Sequence, residues 1–219
     1  MNPQEQITRI RVQYTKGSSL RFTGHLDLQR IWERLLRRSK LPVRYSQGYH
    51  PRARLNLASA LPLGFTSEAE LLDFWMNEPL SGGEIHERLS NTAPPGLKIL
   101  SVQTVDLREK AIQTQITASE YEVRFYDPQD RDALAEMVAT LWDAKSVIRT
   151  RRKKTYDLRP LVLALEVKES DEVEPILWMR LNADPGSTGR PDEVMDALGF
   201  PNTEYQVNRT RMIMNPETS

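Results

Sequence analysis

The sequence contains no cysteine among its 219 residues. The chain therefore cannot form a disulfide or use a thiolate nucleophile, and it cannot hold zinc or an iron–sulfur cluster through thiolates. Only three histidines are present, His25, His50 and His86, and no two are neighbours in sequence. We therefore expect no metal site in this chain.

Long apolar segments are also missing, and the mean hydropathy is -0.56. The longest apolar runs, such as residues 161–167, are strand-sized and far shorter than the roughly 20 residues that span a bilayer. Residues 1–10 lack the hydrophobic core of a signal peptide, so we expect a cytoplasmic protein. The motifs of serine hydrolases, zinc proteases, P-loop enzymes and dinucleotide-binding folds are absent as well.

Hydrophobic periodicity predicts two successive β-α-β-β-α-β series. In the first, the expected elements are strand 6–16, helix 25–39, extended pieces 42–46, 54–58 and 69–76, helix 81–92 and strand 97–105. In the second, they are strand 121–126, helix 130–143, a hairpin of 146–154 with 161–167, an extension at 176–181, helix 191–198 and strand 204–214. This order predicts an α+β fold of two tandem ferredoxin-like (βαββαβ) units packed together, with domains at residues 1–106 and 107–219.

No charge of either sign is in excess, because 30 basic residues balance 30 acidic ones. The distribution is nevertheless uneven. Residues 21–54 contain nine basic and two acidic side chains, a local balance of 9 − 2 = +7. Such concentration in a neutral protein indicates a local anionic partner, and RNA is the first candidate.

Within this basic stretch, the first predicted helix carries Arg30, Arg34, Arg37 and Arg38 beside its apolar stripe. A guanidinium is always charged and can bond two phosphate oxygens at once, so such a row suits an RNA backbone. A solvated helix face, with Glu33 paired to Arg37, is the alternative.

The loop Tyr-Ser-Gln-Gly-Tyr-His-Pro follows at residues 45–51. Its two tyrosines supply rings that suit stacking on bases, and its Ser, Gln and His supply hydrogen-bonding groups. Its glycine lets backbone approach a ligand. In the alternative interpretation the loop is an ordinary turn with half-buried tyrosines.

Gly24 and His25 open the first helix, where free N–H groups can receive a phosphate. His25 and His50 are the candidate acid–base residues of this chain, should it be catalytic. A structural hydrogen-bonding role is the alternative for a histidine at a helix start.

A second basic run covers residues 149–159, with six basic side chains against one acid. On one continuous strand, Arg149, Arg151 and Lys153 would share a face, and Arg152 and Lys154 would occupy the other. Basic residues on both faces favour a projecting hairpin that contacts an RNA backbone. Protection of a sheet edge from aggregation is the alternative.

The segment Gly-Ser-Thr-Gly-Arg-Pro-Asp-Glu at residues 186–193 precedes the last predicted helix. It has the composition of a phosphate-accepting loop but lacks the Gly-Lys-Ser/Thr ending of a P-loop, and a simple loop and helix start is the alternative. Together these segments supply the candidate nucleic-acid-binding residues Arg21, Arg30, Arg34, Arg37, Arg38, Tyr45, Ser46, Gln47, Gly48, Tyr49, His50, Arg52, Arg151, Lys153, Lys154, Arg159 and Arg190.

Several blocks of the sequence resemble the radical-SAM-linked domain of unknown function, which in many bacteria stands alone or is fused behind a radical SAM enzyme. These blocks are FTGHLDLQR at 22–30, LPVRYSQGYHPRARLNLASALPLGFTSEAELLD at 41–73, PPGLKI at 94–99, TYDLRP at 155–160 and GRPDEV at 189–194. The resemblance implies a radical SAM partner that carries the iron–sulfur cluster and S-adenosylmethionine, with no cofactor in this chain. It also implies a role in RNA or ribosome-related modification.

Three functional hypotheses follow. The first is an accessory protein, not catalytic on its own, that binds tRNA or rRNA for a partner modification enzyme. The second is a metal-independent endoribonuclease, because the loop at 45–51 is similar to one in the duplicated ferredoxin-like CRISPR repeat-processing enzymes. The characteristic C-terminal glycine-rich loop of those enzymes has no counterpart here, since no glycine follows Phe200. The third is a non-catalytic adaptor that binds proteins only.

Overall fold

The computed structural model describes residues 6–151, 153–169, 174–200 and 205–215. The chain divides into two compact units between Gln115 and Ile116. Each unit combines helices with an antiparallel sheet, so the predicted α+β class is confirmed. No helix in the described ranges is long and apolar enough to cross a membrane.

The described residues of the first unit form two helices and four strands. They are β1 (Thr8–Lys16), α1 (His25–Arg38), β2 (Leu55–Leu57), β3 (Thr66–Met76), α2 (Gly82–Thr92) and β4 (Leu97–Val105). The strands are antiparallel neighbours in the order β4–β1–β3–β2. Between β1 and α1 the chain makes a short 3-10 turn, and residues 42–54 contribute only isolated bridges to the sheet.

Helix α1 forms because its apolar residues recur every three or four positions and face the sheet. Leu28, Trp32, Leu35 and Leu36 are buried in the core of this unit, where the ring of Trp32 meets that of Tyr14 edge-on at 4.8 Å. At the end of the helix Ser39 turns the chain, and Lys40 adopts a left-handed φ of 54°. The predicted helix and its buried face are therefore confirmed to within one residue.

The predicted domain boundary near residue 106 precedes the observed division at residue 115. The intervening segment belongs with the first unit because it is tied to β1. The guanidinium of Arg9 donates to the backbone oxygens of Glu109 at 2.7 Å and Lys110 at 2.9 Å, and Ile112 is fully buried.

In the second unit, the part of the chain that the structure describes forms two helices and six strands. They are β5 (Ile116–Phe125), α3 (Arg131–Asp143), β6 (Ile148–Arg151), β7 (Lys154–Asp157), β8 (Val162–Lys168), β9 (Ile176–Asn182), α4 (Pro191–Ala197) and β10 (Tyr205–Met214). Four strands form an antiparallel sheet in the order β10–β5–β9–β8. Strands β6 and β7 pair only with each other and form a separate hairpin between α3 and β8.

The predicted pairing of residues 146–154 with 161–167 is wrong. The basic run turns back on itself at Lys153, whose φ is 67°, so that Arg151 pairs with Lys154. Strand β8 pairs instead with β9, because its apolar side chains Val162 and Leu165 are buried there. Sequence periodicity identified β6 and β8 approximately, but it missed β7 and the pairing of all three strands, which depends on the tight turn.

Candidate nucleic-acid interface

The arginines of α1 lie on its solvent face. Arg30, Arg34, Arg37 and Arg38 are all exposed, whereas the apolar stripe of the same helix is buried. Arg30 pairs with Asp27 at 3.1 Å, and both side chains are more than 60% exposed. Such a surface pair contributes little, about 0–1 kcal/mol, and an incoming phosphate can displace it.

The other three arginines have no ion pair within the part of the chain that the structure describes. Glu33, the expected partner of Arg37, instead accepts a long hydrogen bond of 3.5 Å from Gln29. The Glu33–Arg37 pair of the alternative interpretation is therefore not formed, although the helix face is solvated as that interpretation expects. The row presents unpaired guanidiniums, which is the form that binds phosphate most readily.

The loop at residues 45–52 projects from the same unit and is closed at its base. The backbone N–H of Ser46 donates to the carbonyl of Arg52 at 2.8 Å, and the N–H of Arg52 donates to the Ser46 hydroxyl at 3.1 Å. A β-bridge joins Tyr45 to Ala53 just below. These contacts hold the ends of the loop together while its tip stays in solvent.

The tip of this loop carries the most exposed aromatic residue of the described chain. Tyr49 is 102% exposed, and Gln47, His50 and Arg52 are also exposed. Gly48 has a φ of +131°, a conformation open to glycine but strained for other residues. A solvated tyrosine ring beside cations is the arrangement that stacks on unpaired bases.

The structure adds Phe22 to the candidate residues. Its ring is 72% exposed, and the guanidinium of Arg21 stacks on it at 4.5 Å. Leu26 and Leu63 are exposed in the same region, and the loop glycines Gly24 and Gly64 are near Leu63 and Phe22 respectively. Sequence reasoning missed Phe22, although its position next to Arg21 was an available signal.

His25 is the first residue of α1 and is exposed, as is His50 in the loop. Neither imidazole makes a hydrogen bond within the described ranges. A general base is normally oriented by a second group, and these two histidines have none.

Two other arginines of the first unit have a structural role. Arg9 and Arg11 both bind the carboxylate of Asp73, with Nε–O distances of 2.9 and 2.8 Å. All three side chains are buried. Arg9 and Arg11 alternate along β1 with the buried Ile10 and Val12, so the other face of this strand is covered as well.

In the second unit the turn at Lys153 changes which side chains share a face. Residues paired across an antiparallel ladder point the same way. Arg151 pairs with Lys154 and Arg149 with Tyr156, so all four occupy one face of the hairpin. The expectation that Lys154 lies opposite Arg151 is wrong, because it assumed one continuous strand. Lys153 is exposed at the turn, and Arg152 lies outside the described residues.

This face of the hairpin is anchored to α4. Glu193 binds Arg149 at 3.4 Å and Arg151 at 3.7 Å, and Arg149 also pairs with Asp196. Tyr156 hydrogen-bonds to Glu193 as well. Burial and this carboxylate raise the pKa of Tyr156, so its phenol stays neutral at pH 7.

Arg159 and Arg190, the other two cations predicted to bind RNA in this unit, both have internal partners. Arg159 donates to the carbonyls of Trp142 at 2.9 Å and Val162 at 3.1 Å and stacks on the Trp142 ring. Arg190 binds Asp192 through two hydrogen bonds of 2.9 and 2.6 Å. Arg159 therefore supports the local fold, whereas Arg190 borders an open cavity.

That cavity has a volume of about 530 Å³ and lies within the second unit. It brings together two segments that the sequence singled out separately, the basic hairpin and the loop at 186–190. Its walls are formed by Arg151, Lys154, Tyr156, Asp157, Leu161, Gly186, Ser187, Thr188 and Arg190. Elsewhere in the described ranges, no group of three or more histidine, aspartate and glutamate residues is placed to hold a metal ion.

Residues 9–191 match the model of a protein family described as an uncharacterized protein conserved in bacteria (DUF2344). The chain belongs to this family. The expected membership of a bacterial family of unknown function is thus confirmed, and the description of DUF2344 names no radical SAM enzyme. No curated protein matches the chain.

Solved structures similar to this DUF2344 protein include three complexes that contain several components. A Cbf5-Nop10-Gar1 complex aligns with 11% identity and a TM-score of 0.48 over 95% of this chain and 50% of that one. An H/ACA RNP bound to a substrate RNA containing 2'-deoxyuridine aligns with 11% identity and a TM-score of 0.47, over 95% of this chain and 48% of that one. An archaeal box H/ACA sRNP Nop10-Cbf5 complex aligns with 13% identity and a TM-score of 0.47, over 98% of this chain and 51% of that one. The chain spans about half the length of these matches, and similarity at this level does not assign its fold or function.

Proposed function

We propose that this DUF2344 protein is an RNA-binding accessory protein. The observation that carries the proposal is the row of Arg34, Arg37 and Arg38, which are exposed and have no ion pair in the described chain. A row of unpaired guanidiniums on one helix presents several positive charges to a phosphate backbone. In a protein of zero net charge, this local excess marks a binding surface rather than a means of solubility.

The aromatic residues of the first unit determine which form of RNA the proposal favours. Tyr49 and Phe22 expose their rings to solvent, and both have cations nearby in sequence. Rings of this kind stack on bases that are not paired, whereas bases inside a duplex are inaccessible. The proposed ligand is therefore single-stranded or looped RNA, such as a tRNA or rRNA loop.

We further infer that both units are ferredoxin-like. Each contains the series βαββαβ, and each sheet has its fourth strand beside its first and its third beside its second. The hairpin β6–β7 is an insertion between the first helix and the second strand of the second unit. This placement allows the basic hairpin to project without interrupting the sheet.

The proposed partner is a radical SAM enzyme. The resemblance of residues 22–30 and 41–73 to the radical-SAM-linked domain supports this step, and the absence of cysteine means that any iron–sulfur cluster belongs to the partner. In this proposal the present chain positions RNA, and the partner supplies the cluster, S-adenosylmethionine and chemistry. Ribonuclease activity is not included, because no group among the described residues orients His25 or His50.

The proposal is tested by crosslinking the protein to RNA in cells and sequencing the bound fragments, with a parallel search for copurifying proteins. Enrichment of tRNA or rRNA loops, together with a radical SAM enzyme that remains after RNase treatment, is the expected result. Recovery of no RNA above the level of an uncrosslinked control would contradict RNA binding. Loss of the enzyme on RNase treatment would contradict a direct partnership.

A further inference from the structure

The cavity of the second unit has the size of a small-ligand site. Its volume of about 530 Å³ lies inside the range of roughly 300–1,000 Å³ that is typical of such sites. The composition of its walls indicates what kind of molecule it would accept.

Three of the residues that line the cavity are cations, and one is a carboxylate, a balance of 3 − 1 = +2. The carboxylate of Asp157 is already engaged, since it accepts from the backbone N–H groups of Val147 at 2.8 Å and Arg159 at 3.0 Å. These hydrogen bonds hold the pKa of Asp157 below its usual value. Through Oδ1, Asp157 therefore closes the base of the hairpin.

The cations differ in how they are held. Glu193 holds Arg151 and Asp192 holds Arg190, so both guanidiniums are oriented from behind. Arg190 uses Nε and one terminal nitrogen for Asp192, and its other terminal nitrogen makes no hydrogen bond in the described chain. Lys154 has no ion-pair partner there and is exposed. Lys154 is thus the uncompensated charge on this wall.

The opposite wall is a well-ordered loop of hydroxyl-bearing residues. The side-chain nitrogen of Asn182 donates to both the carbonyl and the hydroxyl oxygen of Ser187, at 2.8 and 2.9 Å. The Ser187 hydroxyl therefore accepts from Asn182 and keeps its own hydrogen for a ligand. Gly189 packs so closely that an added Cβ would be 3.0 Å from the carbonyl oxygen of Leu161, which fixes the path of the loop.

An apolar surface completes the cavity. Tyr156 is half-buried and tied to Glu193 through its hydroxyl, so its ring has a fixed orientation, and Leu161 lies beside it. We infer from this arrangement that the cavity binds a phosphate monoester joined to a nucleoside. Lys154, Arg190 and Ser187 bind the phosphate, and Tyr156 with Leu161 contacts the sugar or base.

Two sources would supply this group, a free nucleoside 5'-monophosphate or the 5'-phosphorylated end of an RNA. The site lies wholly in the second unit, whereas RNA binding by the arginine row belongs to the first. The inference therefore survives if the proposed function fails, and the two can be measured separately.

The test is calorimetric titration of the full-length protein with AMP, with adenosine as the comparison. We expect saturable binding of AMP and at least tenfold weaker binding of adenosine, because a charged phosphate contact is worth about one power of ten in affinity. Absence of saturable AMP binding, or equal binding of adenosine, would overturn the inference.

Variants locate the site. Lys154→Met is expected to lower the affinity for AMP about tenfold, and Ser187→Ala is expected to lower it several-fold. The matched control Lys145→Met, which removes another exposed lysine, should bind AMP like the wild type. Equal affinity of Lys154→Met and Lys145→Met would overturn the assignment. Competition by a 5'-phosphorylated trinucleotide, but not its 5'-hydroxyl form, would identify an RNA end as the source. AMP binding without such competition would identify the free nucleotide.

Discussion

Ser46 and Arg52 are joined by two hydrogen bonds, one of which uses the serine hydroxyl. They close the base of a loop whose tip displays Tyr49 fully to solvent. Because these bonds already order the loop around the exposed ring, RNA binding loses less conformational entropy. The base of this loop therefore supplies order, and the tip supplies the ring that contacts RNA. Substitutions can separate these two contributions to binding.

Tyr49→Ala is expected to weaken binding of a single-stranded RNA by roughly five- to 150-fold, because stacking on one base contributes about 1–3 kcal/mol. Tyr49→Phe keeps the ring and should stay within about twofold of the wild type. Fluorescence anisotropy with a labelled RNA loop measures both. Tyr126→Ala removes another exposed tyrosine and serves as the control. Equal weakening by Tyr49→Ala and Tyr126→Ala would show that Tyr49 has no special role.

The buried charges of the first unit lead to a prediction about stability. Asp73 is fully buried and pairs with both Arg9 and Arg11, so Asp73→Asn leaves Arg9 without a carboxylate partner in the described chain and leaves Arg11 with Glu109 alone, at 3.5 Å. We expect the free energy of unfolding to fall by about 3–5 kcal/mol in urea titrations. The exposed control Asp127→Asn should change it by less than about 0.5 kcal/mol. A small effect of Asp73→Asn would mean that other groups already satisfy the two arginines.

The hairpin of the second unit should respond to acid through Asp157. Its folded-state pKa is below the usual value of 3.8, chiefly because the Val147 N–H donates to it. Its contribution to stability is therefore complete above pH 3.8 and is lost as the pH falls through the lowered folded-state value.

Amide hydrogen exchange of Val147 and Arg159 measures this contribution directly. The protection of both amides, relative to that of the β9 amides, should remain level from pH 6 to about pH 4 and decrease below it. In Asp157→Asn this decrease in protection below about pH 4 should be absent. A decrease centred near pH 6 would instead indicate a different titrating group.

The sequence predicted the structural features that depend on residues close together in the chain. Helix α1 and its buried stripe of Leu28, Trp32 and Leu35 follow from spacing alone, as does the exposure of the arginine row. The pairing of β6 with β7 did not follow, because it depends on a left-handed turn at Lys153 that charge patterning does not reveal.

Two features of the sites required the folded chain. The cavity joins residues about 30 positions apart, from Lys154 to Ser187, and the sequence did not indicate that these two segments meet. The exposure of Phe22 was equally hidden, because an aromatic residue before a helix is more commonly buried. Strand pairing and burial are non-local properties, and these are the points at which the sequence predictions were incomplete or wrong.

The central claim is that the unpaired arginines of α1 bind the RNA backbone, and the salt dependence of binding tests it most directly. Each phosphate contact on a single strand contributes about 0.7 to the slope of log K against log salt concentration. The triple variant Arg34→Gln, Arg37→Gln, Arg38→Gln should therefore bind more weakly, with a slope about 2 units shallower than that of the wild type.

The matched control Lys98→Gln, Arg108→Gln, Lys110→Gln removes three exposed charges from the same unit and should leave the slope unchanged within about 0.5. Both triple variants lose three positive charges, so their net charges are equal. We nevertheless expect their slopes to differ when binding is measured between 50 and 300 mM salt. Equal slopes for the two would contradict the central claim, because binding would then depend on total charge and not on the arginine row.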